Sequence, residues 1–490
     1  MLRRFSLPVL APLLATFAMS VAGCSEKQSG PVVVSVIGTG QQLTQPLRDV
    51  LSPASKLMLE STAQGLVAFD AQGDVLPALA QRWIVQDDGR SYIFRLRRLQ
   101  WPNGAPIKAE DVAFLLRNRI TANLKLDVHG DLAAIQEVNA ITGEVLEIRL
   151  SASRPYLLQM LAQPQMAITR RDGGTGPYRK EKRPDAWFLR PVVDDDGNED
   201  TAIPAWENRV LRAERAAMAI VRFRAGLASL VLGGRYNDLP LLNRAGLDNR
   251  VVRVDPAQGL FGLAVVGTGT FLDDAAVRAA LSMSIDRDRL PSAFALGGWV
   301  VTDRLLPQQL DLPRPPTVPA WTNVSMEDRR ATARAAIQQW RGINGEVPSL
   351  RIALPLGAGS RLLYTLIARD LSQIGVPSRQ VGLDEDADLR LIDEVAAYDS
   401  ALWYLGRIGC ARKVHCDALA QERLQEAGMA TSVPEAQARL ADAEALTTAH
   451  NGYIPLGAPV RWSLVARVLN GFAPSTRARH PLNQLFRTTN

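Results

Sequence analysis

Leu76-Pro77-Ala78-Leu79-Ala80-Gln81-Arg82-Trp83, a turn at Asp87-Asp88-Gly89, Trp101-Pro102-Asn103-Gly104 and Lys108-Ala109-Glu110-Asp111-Val112 succeed one another within residues 76–120. The physics of the stretch is local. Tyr92, Phe94 and Leu96 alternate with Ser91, Ile93, Arg95 and Arg97, a period of two that places three apolar residues on one strand face. With Asp88-Gly89 just before it, the pattern predicts a β-hairpin. Val112, Leu115, Leu116 and Ile120 fall on one stripe of a following helix, and Glu110 and Asp111 complement its N-terminal dipole. Lys108, just before this helix, has no side-chain oxygen with which to cap it.

Working outward, the 490 residues suffice for two or three domains with a sizeable core. A 47% hydrophobic and 22% charged composition places the chain among globular proteins. The net charge of +6 does not gather into a basic block or an aromatic-interleaved patch, which argues against nucleic acid as a partner. Arg3 and Arg4, an apolar run from Phe5 to Met19 and Val21-Ala22-Gly23-Cys24 read as a secretory signal ending in a lipobox. Cys24 is then the lipidation site, with an ordinary signal peptide and a chance Cys as the alternative, and residues 25–31 are a small, polar tether. Outside the cytoplasm, Cys410 and Cys416 read as a local disulfide. A metal site with His415 is the alternative, but it has three ligands in one short loop and no second cluster.

No nucleophile elbow, zinc-protease helix, phosphate loop or dinucleotide fingerprint is present, so nothing in the sequence argues for an enzyme. His129, His415, His450 and His480 are dispersed along the chain. Asp194 to Asp200 is acidic, but its consecutive carboxylates break the calcium-loop spacing, and no metal or cofactor is expected.

The order of words in residues 76–120 resembles the signature of the family 5 extracellular solute-binding proteins, the oligopeptide- and dipeptide-binding subunits of ABC importers. Thr175-Gly176-Pro177-Tyr178, Val277-Arg278-x-Ala280-Leu281 through Ile285-Asp286-Arg287, and Leu371-x-x-Ile374-Gly375-Val376 resemble further family phrases. The resemblance reaches from about residue 32 to about residue 470. The resemblance implies an α/β, two-lobed periplasmic-binding-protein-like fold of type II, of the large class with an extra subdomain, and a ligand cleft between the lobes. It implies a signal peptide at 1–23 and a tether at 24–31. A first lobe follows at 32–255 with the extra subdomain at 66–150, then a second lobe at 256–465 and a C-terminal return to the first at 466–490.

By the same resemblance the chain is a monomeric, lipid-anchored envelope protein that closes on a peptide or small polar solute and delivers it to an ABC permease. The alternative is a degenerate relative acting as a sensor or envelope interaction protein. Carboxylates that the family places near its cleft are missing at Ala63-Gln64 and Ala228-Ser229, and Val265-Val266-Gly267 replaces a more polar stretch. After Tyr398-Asp399 no carboxylate occurs from Ser400 to Cys416, whereas Arg407, Arg412 and Lys413 do. The ligand-contacting candidates are therefore Trp403, Tyr404, Arg407, Val266 and Gly267, with Arg407 expected to meet an anionic or neutral polar group. Read as a strand, this segment would let only one of Trp403 and Tyr404 face the cleft. The alternative for Arg407 is a solvent-facing side chain or a pair with Asp399 or Asp417.

Overall fold

A computed structural model describes residues 30–487 apart from 49, 126–129, 172, 193–202 and 311. Cys24 and the acidic run Asp194–Asp200 lie outside the described residues. The apolar opening strand Val32–Ile37 sits inside a seven-stranded mixed sheet, parallel to Arg209–Glu214 on one side and Leu230–Arg235 on the other. Covered on both faces, it has no solvent side to alternate with, and Val32, Val34, Ser35 and Val36 are all fully buried.

A second sheet is five-stranded, in the order Ser378–Val381, Leu350–Ala353, Leu389–Val395, Gly259–Val265, Tyr453–Gly457. Its parallel edge is a βαβ unit in which the helix Ala358–Ser372 connects Leu350–Ala353 to Ser378–Val381. Two short segments join the sheets. Residues 255–258 lead from Val252–Val254 to Gly259–Val265, and residues 458–460 lead back from Tyr453–Gly457 to Arg461–Val465. Arg461–Val465 pairs with both Leu230–Arg235 and Val252–Val254, so the return to the first sheet begins at Arg461 rather than at residue 466.

The signature stretch contributes Ala80–Gln86 and Ser91–Leu96 to a third, four-stranded antiparallel sheet, which Val145–Leu150 and Ile135–Thr142 complete. Tyr92, Phe94 and Leu96 are buried beneath the helix Ala109–Lys125, together with Val112, Leu116 and Ile120. Asp87 and Asp88 take left-handed φ values of 51° and 52°, and Gly89 one of 84°. The helix cap that Lys108 cannot supply comes from a distant turn, because the Ala109 amide donates to the Gly143 carbonyl at 2.9 Å.

The other family phrases also serve the fold. The Arg278 guanidinium donates to the carbonyls of Leu272, Asp273 and His450, and that of Arg287 to those of Ser282, Ile285 and Pro455. Gly176 is needed for close approach, since a Cβ there would fall 2.3 Å from the Ala63 nitrogen. Ser325 caps Met326–Asn344 by accepting from the Asp328 amide, and the helix runs through Gly342 and stops at Gly345, whose φ is 95°.

Candidate ligand-binding site

Beside both crossings, between the first and second sheets, lies a cavity of about 480 Å³. Its first-lobe wall begins with the helix Pro53–Thr62, which Ser52 caps by accepting from the Ser55 amide at 3.1 Å. Lys56 and Glu60 stand one turn apart on this helix and both face the cavity, while Leu57 and Met58 are buried in the first-lobe core. Arg235 joins them from the end of its strand, just after a bulge between Val231 and Gly234. The second lobe contributes Asp393 and Glu394, and then Trp403, Arg407 and Arg412. Arg477, Arg479 and His480 close the cavity from the C-terminal segment.

Four carboxylates, Glu60, Asp255, Asp393 and Glu394, line this space, none of them at the positions where the sequence lacks the family's carboxylates. Each is paired. Asp393 accepts from Arg461 at 2.7 Å, Glu394 lies 3.3 Å from Arg407, Glu60 lies 3.3 Å from Arg479, and Asp255 lies 3.0 Å from His480. Arg477 donates to Asp399 at 2.6 Å. Arg407 also lies over the Trp403 ring, 5.7 Å from its centroid. By contrast, no carboxylate among the described residues lies within ion-pair distance of Lys56 or Arg235.

Burial is the larger cause that lowers the Lys56 ammonium to about 8, and the neighbouring guanidinium of Arg479 adds to it. Burial also lowers Arg479 to about 10 and pushes the Glu60 carboxyl up. The cavity is therefore an electropositive, partly desolvated space.

The five candidate ligand residues separate. Residues 401–407 form a helix, not a strand: Ser400 supplies an N-cap, accepting from the Leu402 amide at 3.2 Å. Adjacent residues on a helix point about 100° apart, so Trp403 and Tyr404 are both buried yet reach different spaces. Trp403 and Arg407 line the cavity between the lobes, whereas Tyr404 lines a second one of about 1000 Å³ near Trp299 and Tyr453. Val266 and Gly267 line neither; their amides donate to the Asp388 carbonyl at 2.9 and 3.0 Å.

Cys410 and Cys416 are bonded, with Cα atoms 5.3 Å apart, in a loop that carries Arg412 to the cavity. Two of the dispersed histidines come together. His415 and His450 stack with ring centroids 6.2 Å apart, and His415 is 3.1 Å from Asp273. No cluster of three or more potential metal ligands occurs among the described residues. Lys56, Arg235 and the run Arg477 to His480 escaped the sequence reading. The available signal was a lysine inside the apolar helical stretch Lys56–Leu59 of a chain whose basic residues are nearly all arginine.

Residues 74–390 match the family of bacterial extracellular solute-binding proteins, family 5 Middle, which is more than half of the chain. The chain is a family 5 extracellular solute-binding protein. It is 24% identical over 369 residues to the dipeptide-binding protein of Pseudomonas aeruginosa, covering 65% of this chain and 66% of that one. Over 121 residues it is 33% identical to a protein of Escherichia coli entitled "Probable deoxycholate-binding periplasmic protein YgiS", covering 21% of this chain and 23% of that one. Neither alignment reaches two thirds of the relative's length.

Among solved structures, this solute-binding protein superposes on the murein tripeptide binding protein MppA of E. coli with a TM-score of 0.77 at 17% identity, covering 94% of this chain and 99% of that one. It superposes on the Haemophilus influenzae OppA complex with a peptide, with a TM-score of 0.75 at 16% identity and coverages of 93% and 99%. These likenesses establish the two-lobed fold. No helix among the described residues is long and apolar enough to cross a membrane.

Proposed function

We propose that this family 5 protein captures a peptide or another small polar or anionic solute between its lobes and hands it to an ABC permease on the outer side of the cytoplasmic membrane. The observation that carries this reading is the cavity whose walls come from both sheets and lie beside both crossings. A solute that touches both walls does so only when the lobes are closed, so binding shifts the population toward closure. About 480 Å³ falls in the range of small-molecule sites, a space suited to a di- or tripeptide or a comparable solute.

Trp403 and Arg407 are the second-lobe residues proposed to contact it. Trp403 is 4% exposed, and its Nε1 has no hydrogen-bond partner among the described residues, so a ligand oxygen would satisfy it. Lipidation of Cys24 would hold a monomeric protein near the permease. Mass spectrometry of solute released from gently purified protein, followed by small-angle scattering with that solute, tests the reading. Compaction on adding it back is expected. A saturating solute that leaves the scattering unchanged would refute closure.

A further inference from the structure

We infer that Lys56 and Arg235 form an oxyanion seat on the first-lobe wall, so that the captured solute presents a carboxylate or a phosphate to them. The inference rests on the solute-capture reading and specifies its ligand class.

Three features of the cavity lead to it. Its carboxylates are committed elsewhere: Glu60, the nearest along the helix to Lys56, is held by Arg479, and Asp393 is held by Arg461. Lys56, Arg235 and Arg119 line the cavity with no carboxylate at ion-pair distance among the described residues; Arg119, on the helix Ala109–Lys125, is held by donating to the Thr169 hydroxyl at 2.6 Å, which leaves Lys56 and Arg235 on the first-lobe wall.

Arg235 is also held in place. Gly233 has a φ of 86°, and a Cβ on Gly234 would fall 2.2 Å from the Trp462 ring. The same tryptophan donates through Nε1 to the Arg235 carbonyl at 3.0 Å. A bulge of this kind re-aims the side chain that follows it, and here that side chain enters the cavity.

The electrostatics agree with the geometry. Arg479, Arg235 and Arg461 all disfavour the Lys56 ammonium, and Glu60 alone opposes them. Asp393 and Asp238 favour the Arg235 guanidinium only from beyond ion-pair distance, and an oxyanion supplies the opposite charge at contact, accepting two parallel bonds from a guanidinium and one from an ammonium. Arg407 is a weaker candidate for this task because Glu394 already neutralises it.

Calorimetry with N-acetyl-alanyl-alanine, its C-terminal amide and inorganic phosphate tests the seat and separates a carboxylate ligand from a phosphate one. The acid or phosphate is expected to bind, and the amide at least about ten-fold more weakly, which corresponds to about 1.4 kcal/mol. Lys56→Met and Arg235→Gln should abolish that preference, and Lys56→Arg should retain it. Near pH 8 the preferred anion should bind wild type with proton uptake, read as a dependence of the heat on the buffer's ionisation enthalpy. This readout needs no variant to fold. Equal binding of acid and amide, binding of neither the acid nor phosphate at millimolar concentration, or anion binding without proton uptake would each overturn the seat. Compaction by a co-purified solute would still stand in those cases, so failure of the seat is distinguishable from failure of solute capture.

Discussion

The two walls of the cavity are both rich in charge and differ in how that charge is used. On the second-lobe side Arg407 meets Glu394, Asp393 meets Arg461, and Asp399, just beyond, meets Arg477. On the first-lobe side Lys56 and Arg235 have no such partner among the described residues. The difference teaches that a count of cations near a cleft says little about ligand charge. What matters is which of them the protein has already neutralised.

The largest test breaks a paired group. Arg461 and Asp393 have side chains only 10% exposed and join the two lobes right after the second crossing. Removing one partner strands the other charge in a desolvated place, so Arg461→Ala should lower unfolding stability by about 3–5 kcal/mol, measured by urea denaturation. A loss under about 1 kcal/mol would mean that this wall is as solvated as a surface and that the contrast fails.

Next in size is the covalent tie that carries Arg412 to the second-lobe wall. Opening the Cys410–Cys416 loop with paired Cys→Ser changes should cost about 2 kcal/mol by the chain-entropy account, because so short a loop restrains the unfolded chain only modestly. Intact-mass analysis under alkylation should find no free thiol in the mature protein before reduction. Two free thiols in freshly isolated protein would show that this wall is not tied.

A smaller, pH-dependent change should mark the first-lobe wall. Lys56 sits at about 8 in the folded chain and near 10.5 when unfolded. Between those values the native state binds fewer protons than the unfolded one, so stability rises with pH across the window. Below about 8 Lys56 is protonated in both states, and the cost of desolvating its ammonium in the folded state is felt in full. Solvent reaching the half-buried side chain moderates the effect, so the rise should be less than the disulfide contributes. The wild-type rise minus that of Lys56→Met isolates it. Identical pH profiles would indicate that Lys56 is solvated and that the seat is not desolvated.

The contrast also separates what was legible in the sequence from what was not. Residues 76–120 were readable because their information is local. The alternation of Tyr92, Phe94 and Leu96 and the stripe of Val112, Leu116 and Ile120 appear in the structure as buried faces. The segment after Ser400 was misread as a strand because a serine cap and a seven-residue helix leave little periodicity to detect. The pairings that decide the cavity are not periodic at all. Arg461 and Asp393 are 68 positions apart, and Arg209, buried in the first lobe, donates to a carbonyl 273 positions away. Only the folded topology brings such groups together, so a charge read from sequence carries no sign of its partner.

The smallest expected effect falls on Arg407, the residue that the sequence offered as the anion contact with a solvent-facing or ion-paired side chain as the alternative. Arg407 lies on the cavity, but its Nε is 3.3 Å from Glu394, whose side chain is 46% exposed, and its guanidinium rests over Trp403. A pair with one solvated partner contributes little, and the ring contact adds a comparable amount. Arg407→Ala should therefore cost less than about 1 kcal/mol of stability. Because Glu394 already balances its charge, the variant should weaken binding of N-acetyl-alanyl-alanine by less than about three-fold, under 1 kcal/mol, where Lys56→Met costs about ten-fold. If the order reverses in side-by-side calorimetry, the ligand's anionic group lies on the second-lobe wall, and the pairing of Arg407 with Glu394 opens when solute enters.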